Sequence, residues 1–140
     1  VVAAGNNGPR TMSITTPGIS RKVITVGCSD DDREVLVGGN RMVDYSGRGP
    51  TAACICKPDL VAPGCSVVSC SSRADKYTIK SGTSMSTPIV SGAVALLLER
   101  FPDMSNKDVK LRLRESSVDI GLPRNQQGWG LLDVGKMIGK

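Results

Sequence analysis

The run Ser81-Gly82-Thr83-Ser84-Met85-Ser86-Thr87-Pro88 leads straight into Ile89-Val90-Ser91-Gly92-Ala93-Val94-Ala95-Leu96-Leu97-Leu98, and it restricts the fold more than any other part of the chain. Between Ile89 and Leu98 only Ser91 and Gly92 are not apolar, and both are small. A helix without a polar face belongs in the middle of a protein. Pro88 falls in its first turn, where a missing N–H costs little, and Phe101-Pro102 ends it, so a helix is predicted over 84–100. Ser84 then stands at the mouth of a buried helix, crowded by small residues. That arrangement can hold a serine nucleophile rigid with its oxygen exposed. Taken alone, a serine in this place is more often a helix cap than a nucleophile. The chain contains no histidine, so the usual base for such a serine is not among these residues.

A chain of 140 residues builds one modest core. Apolar residues make up 39% of it but aromatics only 3%, so Val, Ile, Leu, Ala and Met must form that core. Sixteen glycines and eight prolines imply tight turns between short elements, which suits a mixed α/β domain better than a helical bundle. Strands are predicted over 1–4, 22–27, 59–64 and 66–70, where short apolar or β-branched runs meet turn residues, and the segment 77–80 leads into the serine turn. The segments 34–37 and 41–45 flank Gly38-Gly39-Asn40 and predict a hairpin. Ser105, with Asp108 three residues on, predicts a second capped helix. Its expected apolar stripe is Val109, Leu111 or the stem of Arg112, Leu113 and Val118. A last short helix is predicted over 133–138.

The net charge is +5, and Lys107, Lys110, Arg112 and Arg114 lie next to Asp108 and Glu115. Interleaved signs of this kind read as the wet face of an amphipathic helix. No aromatic residues or binding motif accompany them, so a nucleic-acid partner is not expected. The five cysteines, Cys28, Cys54, Cys56, Cys65 and Cys70, cannot all pair within the chain. Their spacings match neither a zinc site nor a Cys-x-x-Cys redox module. Unpaired thiols lean toward a reducing compartment, the cytosol. The longest strongly apolar stretch is too short to cross a bilayer, so no membrane partner is expected.

Three segments in order carry a resemblance: Gly5-Asn6-Asn7-Gly8 after a strand, Asp59-Leu60-Val61-Ala62-Pro63-Gly64, and Gly82-Thr83-Ser84-Met85 at the helix start. Together they resemble the C-terminal half of the catalytic domain of a subtilisin-like serine peptidase. Gly-Thr-Ser-Met-x-x-Pro is the specific signature among them. The resemblance spans nearly the whole chain, read as a single partial domain over 1–140. It implies the C-terminal half of a three-layer α/β fold with a mainly parallel sheet.

What the resemblance implies about chemistry is specific. Ser84 matches the nucleophile that forms an acyl-enzyme, and Asn6 matches the asparagine of the oxyanion hole. The family order is aspartate, histidine, asparagine, serine, so the general base and its carboxylate partner are expected upstream of this chain. This chain alone is expected to be inactive. Ala3, Ala4 and Gly5 match one wall of the pocket for the residue before the scissile bond, with Thr15 near its floor and Tyr45 near its rim. Gly18, Ser20, Val23 and Asp59 match a weak structural cation site, for calcium or sodium. No cofactor is required for the chemistry. Where the family usually reads Ala-Thr-Pro-His-Val-Ala, this chain has Ser86-Thr87-Pro88-Ile89-Val90-Ser91, and the Ser86 hydroxyl is expected to pair with the preceding turn. The expected function is a serine endopeptidase acting on peptides or proteins. The alternative is an inactive module of the same fold with a regulatory or binding role. The expected partners are the substrate and the missing N-terminal half, and a half-sheet with an apolar helix is expected to self-associate.

Overall fold

In the computed structural model, which describes residues 1–29, 45–72 and 76–139, three short strands form a parallel sheet. They are β1 (Val2–Ala3), β2 (Thr25–Ser29) and β3 (Leu60–Pro63), in that spatial order. Val26 lies opposite Leu60 and Cys28 opposite Ala62. β2 is buried along its whole length, as expected for a parallel strand covered on both faces. Two further strands, β4 (Val67–Cys70) and β5 (Tyr77–Lys80), pair antiparallel and lead into the serine turn.

Four helices complete the described elements: α1 (Thr83–Arg100), α2 (Asn106–Ser116), α3 (Arg124–Gln127) and α4 (Val134–Ile138). α1 buries Thr83, Ser86, Val90, Ala93 and Leu97, in steps of three and four residues that trace one face of a helix. That face packs on Val26, Leu60 and Ala62 of the sheet, and Val109 and Leu113 of α2 and Met137 of α4 close the core. On the other face of the sheet, a Cβ at Gly27 would lie 3.0–3.1 Å from Val61, Pro58 and Ser46. There the irregular chain around 46–58 covers the sheet directly. The architecture is α/β with a parallel sheet, as expected, but its helical layer lies against the Val26 face.

Several expectations need correction. α1 is not covered on all sides: Ser91, Gly92 and Ala95 are exposed and Leu96 is 50% exposed. Three short strands cover one stripe of the helix and no more. Leu111 is likewise 53% exposed, because two residues along a helix rotate it away from the buried Val109 and Leu113. β2 begins at Thr25 rather than Lys22, since the backbone just before it is engaged by lysine side chains described below. α3 carries no apolar periodicity and was not expected. The capping box of α2 is present in full: Ser105 accepts from the Asp108 N–H, and Asp108 accepts from the Ser105 N–H. Lys110 and Arg112 do not belong to a simple wet face, for each donates to backbone carbonyls of other segments. The hairpin expected over 34–45 lies outside the described residues apart from Tyr45. No disulfide joins the five cysteines.

Candidate active site

Two chain segments distant in sequence build the site, the end of β1 and the start of α1. Ala4 is buried and donates its N–H to the Val26 carbonyl (2.8 Å), which continues the strand. The chain then turns at Gly5, with φ 94°. A Cβ there would fall 2.4 Å from Thr15 Oγ1, so both the backbone angle and the space require glycine. This turn delivers the side chain of Asn6 to the first turn of α1.

Asn6 Oδ1 accepts two hydrogen bonds from Thr83, one from the backbone N–H (3.0 Å) and one from the hydroxyl (3.0 Å). Two donors on one oxygen fix the amide orientation and leave Nδ2 as the end that faces away from Thr83. Gly82, with φ 147°, precedes the helix. A Cβ on Gly82 would lie 3.3 Å from Asn6 Nδ2 and 3.8 Å from the Ser84 backbone nitrogen. The absent side chain therefore leaves a space bordered by two N–H donors. Both stand at a helix N-terminus, where the aligned peptide dipoles favour negative charge. Ser84 is exposed beside that space, whereas Gly82, Thr83 and Ser86 are buried. A hydroxyl next to two preorganised donors is the arrangement that stabilises the oxyanion formed when that hydroxyl attacks a carbonyl.

Thr83 was not singled out from the sequence. Its signal was its place directly before Ser84, but only the fold shows both of its donors meeting Asn6. The expected pairing of Ser86 does not form: its buried hydroxyl has no hydrogen-bond partner among the described residues. It packs instead into the space beside Gly64, whose Cβ would lie 2.1 Å from Ser86 Oγ and 2.7 Å from Cys28 Sγ.

Of the residues assigned to the pocket, Ala3, Ala4, Gly5 and Thr15 come together. Thr15 donates its N–H to the Ala4 carbonyl (3.0 Å), and its hydroxyl lies 3.4 Å from the same oxygen. Tyr45 stands beside the adjoining loop. Its carbonyl accepts from the Gly8 N–H (2.9 Å) and its hydroxyl lies 3.5 Å from Cys28 Sγ.

The residues assigned to a cation show a different arrangement. The Gly18 carbonyl accepts from the Thr25 hydroxyl (2.6 Å), and the Ser20 hydroxyl accepts from the Lys22 N–H (3.2 Å). Val23 and Asp59 face two lysines. The Val23 carbonyl accepts from Lys57 Nζ (3.1 Å) and Lys110 Nζ (2.9 Å). Asp59 Oδ2 accepts from Lys57 Nζ (2.5 Å) and the Thr25 N–H (2.7 Å), and Oδ1 lies 3.7 Å from Lys110 Nζ. Burial pushes the Lys57 ammonium below the ordinary lysine range, and its hydrogen bond to Asp59 opposes that shift. Lys57 lies two residues from Asp59 and was legible as a neighbour, whereas Lys110 gave no local sign.

The model of the Subtilase family matches residues 1–130. The chain belongs to the subtilase family. It is 40% identical over 129 residues to the serine protease AprX of Bacillus subtilis, covering 83% of this chain and 29% of that protein. It is 34% identical over 138 residues to halolysin of Haloferax mediterranei, covering 99% of this chain and 24% of that protein. Among solved structures, the CspB protease of Clostridium perfringens superposes with a TM-score of 0.77 at 29% identity, over 91% of this chain and 28% of that one. The self-cleaved protease domain of PatA gives 0.75 at 27% identity, over 99% of this chain and 49% of that domain. This subtilase chain thus spans under a third of the length of AprX and of halolysin.

Proposed function

We propose that this subtilase chain carries the nucleophile and oxyanion hole of a serine endopeptidase, with the histidine base and its aspartate supplied by sequence outside these residues. One observation carries the reading. Thr83 holds Asn6 so that its Nδ2 and the Ser84 N–H border one small space, left open by Gly82. In this reading Ser84 Oγ attacks the peptide carbonyl as the external histidine takes its proton. The carbonyl oxygen, now negative, moves into the space between the two donors. These hydrogen bonds strengthen as charge develops, so they stabilise the transition state more than the bound peptide. Collapse expels the amine, which takes the proton back from the histidine, and leaves the acyl group on Ser84; water, activated by the same base, then removes it. Peptides or proteins are the substrates. Ala3, Ala4, Gly5 and Thr15 contribute one side of the pocket before the scissile bond, with Tyr45 near its rim.

The exposed side of α1, with Ser91, Gly92, Ala95 and Leu96, fits a helix that receives further cover from the rest of the catalytic domain. The test is labelling with a fluorophosphonate probe, followed by mass spectrometry of the labelled peptide, on this chain and on the full-length parent. Label on Ser84 in the parent and none on the chain is the expected result. An unlabelled parent points to an inactive regulatory module of the same fold. A labelled chain means that something here activates Ser84 without histidine, and the assignment of an external base is wrong.

A further inference from the structure

We propose that Lys57, assisted by Lys110, is a built-in cation: its ammonium occupies the oxygen set of Val23 and Asp59 and braces the pocket loop without any metal ion. A bound calcium needs six to eight oxygen ligands on a cavity left free for it. Here the Val23 carbonyl already takes two ammonium donors. Asp59 takes Lys57 on Oδ2 and has Lys110 near Oδ1, while the Thr25 N–H holds its orientation. Lys57 is 1% exposed, so a metal could enter only by expelling its whole side chain. Two ammonium groups against one carboxylate also leave the cluster net positive, which repels a further cation.

The cluster joins three separate segments. Lys110 reaches from α2 to the Arg21 carbonyl (2.8 Å) as well as that of Val23. Lys57 and Asp59 belong to the approach to β3. The braced loop runs back to the site, for the Gly18 carbonyl is tied to the Thr25 hydroxyl (2.6 Å) and the Gly18 N–H to the Thr15 carbonyl (2.8 Å). Thr15 packs over Gly5, one residue before Asn6. Two lysines therefore fix the loop that a structural ion would otherwise hold, and they do so at any calcium or sodium concentration.

The test is hydrogen exchange, read by mass spectrometry over residues 18–25 of the full-length parent, in chelator and in millimolar calcium or sodium. Wild-type protection should be the same in all three. Lys57→Met keeps the apolar stem and removes the charge. It should lower protection of 18–25 by about a hundredfold or more, the effect of leaving a buried carboxylate without its partner. Recovery of that protection with calcium would show the vacated oxygens accepting a metal, and loss without recovery still assigns the bracing to the ammonium. Lys110→Met, a change at a side chain 25% exposed and so less buried than Lys57, should give a smaller loss over the same residues and serves if the first variant does not fold. Ion-dependent protection in the wild type, or unchanged protection in the lysine variants, overturns the proposal.

Discussion

Gly82→Ala tests the site at its narrowest point. The new methyl would sit 3.3 Å from Asn6 Nδ2 and 3.8 Å from the Ser84 nitrogen, inside the space where both donors must meet an oxyanion. An oxygen accepting hydrogen bonds at about 2.7–3.1 Å from each donor cannot share that space with a carbon. The φ of 147° adds backbone strain for any residue with a Cβ, about 1–3 kcal/mol. Removing one oxyanion donor lowers turnover by about 10²–10³, a value established on the oxyanion-hole asparagine of subtilisin. Gly82→Ala disturbs two donors, so its kcat should fall at least that far, and Asn6→Ala should fall by that amount without the strain. The assay is peptide hydrolysis by the full-length parent, with thermal unfolding measured alongside to separate lost chemistry from lost fold. A folded Gly82→Ala protein within about threefold of wild type, under about 0.7 kcal/mol of barrier, refutes the assignment of the oxyanion space.

Two further predictions follow from burial and hydrogen bonding. Ser86→Ala removes a buried hydroxyl that has no partner among the described residues, so it should raise the unfolding temperature, with a stability gain of about 1 kcal/mol; a fall would mean that the hydroxyl is satisfied in the working protein. At Asp108, the Ser105 hydroxyl and then the Ser105 N–H hold the carboxyl below the ordinary carboxylate range. Its contribution to α2 is therefore fully present above that ordinary range and is lost as pH falls through the lowered value. Ser105→Ala should move the Asp108 carboxyl back up in an NMR titration and cost about 1 kcal/mol of stability; an unmoved titration would refute the capping box.

Local chemistry is what the sequence determined by itself. The end of α1 at Arg100, the capping box at Ser105 and Asp108, and the order of Asn6, Asp59 and Ser84 all rest on neighbours within a few residues, where periodicity and turn residues carry the information. Contacts between distant segments needed the tertiary structure. Thr83 meets Asn6 across 77 positions, and Lys110 meets Val23 across 87. A threonine at a helix start and a lysine on a charged helix look alike in any sequence until the chain brings them to a partner. The residues matched to a cation show the same division. The resemblance matches Gly18, Ser20, Val23 and Asp59 to a cation, but that ammonium groups meet the oxygens of Val23 and Asp59 depends on Lys57 turning inward and on α2 crossing the loop. The apolar run of α1 likewise announced a helix that must be buried, and only the packing showed which stripe this part of the protein buries and which it leaves for others. Short-range steric and hydrogen-bond preferences are written residue by residue, whereas the closure of long loops is decided by the whole chain at once.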